Sequence, residues 1–157
     1  MEPIALDPPR LADLPPLLVG GLCERYTMGN TVAIPSQWER FSRYVGSIPG
    51  GIDGPAYGVC FNFDKNEFDY LCGIEVRAVE GLPREFGHVQ IPAHRYAIFT
   101  VQENISTIQR VIHTIWSAWL PTSGHKGAHA PAVECYRESF APLTGDGGFE
   151  IWVAIES

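Results

Sequence analysis

Two stretches of this chain echo one another. Pro55-Ala56-Tyr57-Gly58-Val59-Cys60 and Pro131-Ala132-Val133-Glu134-Cys135-Tyr136 each open with proline and continue with β-branched and aromatic residues. That is strand composition, with proline at the entry, where no ladder donor is needed. Each is followed by a turn and a second strand-like run, 68–76 in one case and 149–155 in the other. A sequence that repeats an element order constrains its architecture more than any isolated motif. The two copies differ at one informative point: Gly58 in the first stands where the second has Glu134. A carboxylate on a strand, rather than in a loop, is the most chemically loaded residue of the chain.

The rest of the chain extends the repeat. Residues 1–16 hold five prolines and read as an extended lead-in. Residues 17–23 form a strand-like apolar run. Pro35 and Ser36 suit a helix start, and Trp38, Phe41, Val45 and Ile48 recur on one helical face until Pro49-Gly50-Gly51. Strands at about 55–63 and 68–78 follow, with hairpin-turn residues at 64–67. After a connector over 80–92, His94 to Val101 is a strand. Asn104 or Ser106 caps a second helix with Ile105, Ile108, Ile112, Ile115, Trp116 and Trp119 as its stripe, ending at Pro121. Strands at about 131–138 and 148–156 complete the chain. The order strand, helix, strand, strand thus occurs over 17–79 and again over 93–156. Two such units pair into one α+β domain spanning 1–157: a single antiparallel sheet, both helices on one face, a ligand cleft on the other.

Composition excludes several classes of function. The net charge is −7, from 11 Lys and Arg against 18 Asp and Glu, so direct nucleic-acid binding is not expected. No run is long enough to span a membrane, and no secretory leader is visible, so the expected compartment is the cytoplasm. Cys23, Cys60, Cys72 and Cys135 sit in apolar runs without metal-ligand spacing, and the five histidines form no HxxxH-type site. They read as small buried hydrophobes; no metal and no cofactor is expected. No phosphate-cradling glycine loop or nucleophile elbow occurs.

Strand alternation assigns side chains to faces. Tyr57, Val59 and Phe61, with Tyr70, Cys72 and Ile74, are placed under the helices. Gly58, Cys60, Asn62, Leu71, Gly73 and Glu75 are placed on the opposite face, together with Glu134, Tyr136, Trp152 and Ala154. The expected site is therefore Glu134, Tyr136 and Trp152 across from Leu71, Cys60, Asn62 and Gly58. Small residues leave room, rings make walls, and a desolvated carboxylate attracts positive charge. Each ring adds roughly 0.5–2 kcal/mol to a cation. Trp38, Trp116 and Trp119 are assigned to the core.

At 68–76, 91–99, 119–124, Glu134-Cys135-Tyr136 and 148–153 the sequence resembles the GyrI-like small-molecule-binding family, which includes effector-binding domains of multidrug-sensing transcription regulators. The resemblance implies the paired βαββ fold, a central cleft, and a glutamate, here Glu134, facing bound ligand. It departs at Thr100-Val101-Gln102, where relatives often carry His-x-Gly. No helix-turn-helix segment accompanies the domain, so regulation of transcription is expected to need a partner protein. Two functions are open. One is a binding module for amphipathic, aromatic, cationic molecules. The alternative, implied by free-standing relatives, is a hydrolase of reactive electrophiles in which Glu134 activates water. A third implied role, inhibition of gyrase, has no residue here to carry it.

Overall fold

The computed structural model describes residues 2–156. An eight-stranded sheet, antiparallel at every pairing, runs through it. Its strands are β1 (Arg10–Leu14), β2 (Leu17–Thr27), β3 (Gly51–Asp64), β4 (Glu67–Val76), β5 (Gly87–Ile91), β6 (His94–Val101), β7 (Ala132–Tyr136) and β8 (Phe149–Ala154). Their spatial order is β1-β6-β8-β7-β3-β4-β2-β5. Helix α1 (Ile34–Ser42) sits between β2 and β3. Between β6 and β7 runs a composite helix: a 3₁₀ turn at Ile105–Thr107, α2 (Ile108–Thr114), a π turn at Ile115–Trp119, and α3 (Leu120–Ser123). The fold is α+β, with both helices on one face of the sheet, as the sequence pattern predicts.

Two strands were not expected. β1 lies in the proline-rich lead-in and pairs with β6; β5 lies in the connector and pairs with β2. Each occupies an outer edge of the sheet. Five-residue edge strands flanked by Pro9, Pro15 and Pro92 carry little periodic signal, and proline is tolerated there because the edge needs fewer donors.

The helix ends also differ from expectation. α1 stops at Ser42, where Arg43, Val45 and Ser47 amides turn back three residues rather than four, and Gly46 takes φ +88°. Val45 is consequently 66% exposed rather than part of the packed stripe. The second helix passes through Pro121 and ends at Gly124, φ +82°. The wider π turn just before Pro121 accommodates a residue with no amide hydrogen. Asn104 does cap this helix: its side-chain oxygen accepts from the Ser106 amide at 2.9 Å. Trp116, assigned to the core, points outward and is 47% exposed; Trp119 packs edge-on against Phe99 at 4.9 Å.

The register fixes which residues share a face. One row runs across six strands: Leu22, Cys72, Gly58, Glu134, Ile151, Phe99. Its members pack with Phe41 and Ile48 below α1, or with Val111 and Ile115 of the composite helix. The next row is Cys23, Leu71, Val59, Val133, Trp152, Ile98, and it faces the other way, into a core with Tyr57, Tyr96 and Ile91.

Candidate functional site

Glu134 lies on β7, directly across from Gly58 on β3. The two positions that distinguish the echoed stretches are therefore cross-strand partners at the centre of the sheet. Their juxtaposition is steric as well as topological. A methyl group at residue 58 would lie 2.6 Å from Glu134 Oε1 and closer still to the Tyr70 hydroxyl. The bare glycine is what lets the carboxylate fold over the strand.

The carboxylate is half-buried and held from one side. The Tyr70 hydroxyl donates to Glu134 Oε1 at 2.7 Å, and the Tyr136 hydroxyl donates to the same oxygen at 2.8 Å. Trp38, on α1, donates its indole N–H to the Tyr70 oxygen at 2.8 Å. Its ring also meets Tyr136 edge-on, with centroids 5.4 Å apart. Phe140 closes the far side of Tyr136 at 4.8 Å. Two phenols, one from each of two strands, thus converge on one oxygen, with the helix indole one hydrogen bond behind them.

Burial raises the Glu134 pKa above its ordinary value of 4.5, against the opposing pull of the two phenol hydrogen bonds. Burial and the neighbouring carboxylate push Tyr70 and Tyr136 well above the usual phenol range, so both remain donors. Burial, then the Glu134 charge, does the same to the half-buried Cys60 thiol on this face.

The structure brings only part of the expected set of residues together. Glu134, Tyr136, Gly58 and Cys60 do share a face. That face carries the helices, not the open side. Trp152 and Leu71 lie on the opposite face, both buried. Trp152 packs against Tyr57 at 5.8 Å and donates to Glu150 at 2.8 Å. Tyr57, Val59 and Phe61, placed under the helices by alternation, belong with Trp152. Asn62 is exposed at the end of β3, with φ +51°, where it donates to Asp69 at 2.9 Å. Alternation within each strand was read correctly. The phase between strands was not, and a one-residue slip in register reverses every side chain. Tyr70 and Trp38, both assigned to plain packing, are linked to Glu134 by hydrogen bonds, Tyr70 directly and Trp38 through Tyr70. Only the register of β3 with β4 and the docking of α1 bring them there.

On the far face Glu150 has the opposite electrostatics. Burial would raise it, but hydrogen bonds from Arg137, at 2.7 Å, and Trp152 hold it below its ordinary value. Two hollows, of about 330 and 200 Å³, lie beside Asp13 and His94 and beside Arg137 and Gly147; neither is lined by Glu134. Among the described residues no group of three or more His, Cys, Asp or Glu side chains is arranged to hold a metal ion. No helix among them is long and apolar enough to cross a membrane.

Comparison with known proteins finds relatives over most of the chain. The transcriptional regulator BrlR of Pseudomonas aeruginosa is 28% identical over 148 residues, which is 93% of this chain and 54% of BrlR. The chain therefore spans about half the length of that curated relative. Among solved structures, SAV2435 bound to tetraphenylphosphonium superposes with a TM-score of 0.77 at 16% identity, covering 95% of this chain and 94% of that one. The EcmrR C-terminal domain gives 0.66 at 13% identity, covering 94% and 96%. These two likenesses establish the fold alone. The family model for the GyrI-like small molecule binding domain matches residues 7–156, nearly the whole chain, and the protein belongs to that family.

Proposed function

We propose that this domain captures amphipathic aromatic cations, with Glu134 as the charge partner and Tyr70, Tyr136 and Trp38 as the adjoining rings. The observation that carries the reading is a half-buried carboxylate on the central strand pair, held by two phenols and backed by an indole. A carboxylate short of water attracts a cation whose own hydration is weak, and ring faces add to that attraction. That SAV2435, a protein of the same fold, was solved with tetraphenylphosphonium supports the choice of ligand class. The chain's charge of −7 and its four free thiols fit a cytoplasmic protein that does not itself contact nucleic acid. Its likeness to BrlR supports a readout through transcription, exerted by a partner polypeptide or by further parts of the same one.

A thermal-shift screen tests the reading. Tetraphenylphosphonium and related aromatic cations raise the melting temperature of the wild type. A ligand at 100 times its Kd adds about 2.7 kcal/mol to the folded state. Glu134→Gln loses most of that shift. No stabilisation by any aromatic cation, or equal stabilisation of the variant, refutes it.

A second reading is hydrolysis of a reactive electrophile. One observation favours it: a carboxylate whose pKa is raised by burial is a stronger general base than a solvated one. Turnover of an electrophilic probe that vanishes in Glu134→Gln would establish it in place of simple capture.

A further inference from the structure

The hydrogen bonds around Glu134 are lopsided, and the asymmetry bears on which cations fit. Both phenols donate to Oε1, at 2.7 and 2.8 Å. Among the described residues no protein donor reaches Oε2. Nor does any fully buried side-chain oxygen among them lack a partner, so Oε2 is not wholly shut off from solvent. The two donors on Oε1 fill its two lone pairs.

That arrangement is locked from behind. Tyr70 is 1% exposed, and its oxygen also accepts the Trp38 indole hydrogen at 2.8 Å. If Tyr70 swung away, the half-buried indole would lose its acceptor. Tyr136 is wedged between the Trp38 ring at 5.4 Å and the Phe140 ring at 4.8 Å. Gly58 supplies the space beneath Oε1, and the Tyr70 contact already fills it.

We propose that Tyr70 and Tyr136 are specificity-determining residues: they make Glu134 a one-oxygen acceptor, and the site selects cations that pair through a single contact over those that need a fork. The proposal rests on the cation-binding reading above and names the class within it. Favoured guests are quaternary ammonium, phosphonium and ring-delocalised cations. Amidinium and guanidinium groups draw their advantage with carboxylates from two parallel N–H···O bonds, one to each oxygen. Here the second bond must compete with a phenol that has nowhere to go. A buried donor left without its acceptor is costly, so the competition favours the phenol.

The test uses two cations on one biphenyl frame, 4-phenylbenzamidinium and 4-biphenylyl-trimethylammonium, titrated calorimetrically into the full chain. The wild type binds the trimethylammonium at least as tightly as the amidinium. In Tyr136→Phe, and separately in Tyr70→Phe, Oε1 regains a lone pair. The ratio of amidinium to ammonium affinity then rises about tenfold, the value of one recovered charge-assisted bond. A wild type that prefers the amidinium tenfold or more overturns the proposal and leaves cation capture standing. So does a ratio unmoved in both variants. Binding of neither cation by the wild type overturns the capture reading itself, and this inference with it.

Discussion

At the scale of single residues, the site turns on an exchange between positions 58 and 134. A strand residue with no side chain faces one with a carboxylate, and each makes the other workable. In the empty space above Gly58, Tyr70 reaches Glu134. Gly58→Ala is therefore not a neutral change, although its backbone angles are open to any residue. The added methyl displaces the Tyr70 hydroxyl or the carboxylate, and Tyr70 is packed too tightly to yield freely. Overpacking of this kind costs about 1–3 kcal/mol. Urea denaturation should show a lower midpoint for Gly58→Ala, and weaker binding of an aromatic cation should accompany it. A variant as stable as the wild type, with unchanged affinity, contradicts this account of the glycine.

At the scale of elements, the question is how a nine-residue helix places Trp38 so accurately. Helix α1 has no side-chain N-cap and no acidic residue in its first turn, so its own ends do little to hold it. Gln37 does that work. It is fully buried, and its amide nitrogen donates to the carbonyls of Leu22, at 2.8 Å, and Tyr70, at 2.9 Å. Its oxygen accepts from the Tyr26 hydroxyl at 2.6 Å. One side chain thus ties the helix to β2 and β4, next door to Trp38. Replacing it by leucine keeps the volume and strands the Tyr26 hydroxyl. Gln37→Leu should lose about 2–3 kcal/mol by chemical denaturation, with a change in Trp38 fluorescence. Wild-type stability would show that packing, not these bonds, seats the helix. None of this was legible in the sequence, where Gln37 reads as an ordinary polar residue beside an apolar stripe. The paired βαββ order was legible, because hydrophobic periodicity and proline placement are local signals. Glu134 stood out because it replaces glycine at the matching position of the echoed stretch. Trp152 and Leu71 do lie on the face away from the helices, but Glu134, Tyr136, Gly58 and Cys60 lie on the helix side, and Tyr70 and Trp38 join them, because register and helix docking depend on contacts between distant segments.

At the scale of the whole molecule, the sheet carries two carboxylates with opposite pH laws, one on each face. Glu134 has its folded pKa raised, so folding takes up a proton. Its contribution is fully present below the unfolded pKa and is lost as pH rises through the folded one. Glu150 has its folded pKa lowered; its contribution is present above the unfolded value and is lost as pH falls through the folded one. Relative to wild type, Glu134→Gln should therefore gain stability as pH rises from the acid side toward neutrality. Glu150→Gln should lose stability over the same range. Urea midpoints across that range read both slopes, and parallel slopes contradict the assignment. Under the capture proposal, cation binding would work on the same proton: a cation beside Glu134 favours the ionised form, so binding would release a proton and affinity would rise with pH through the free-state pKa. The most direct measurement is the side-chain carboxyl ¹³C shift of Glu134, assigned by its absence in Glu134→Gln and titrated with and without tetraphenylphosphonium. The account predicts a midpoint above the ordinary 4.5 in the free protein and a downward move on binding. An ordinary midpoint that the cation leaves where it was would contradict it.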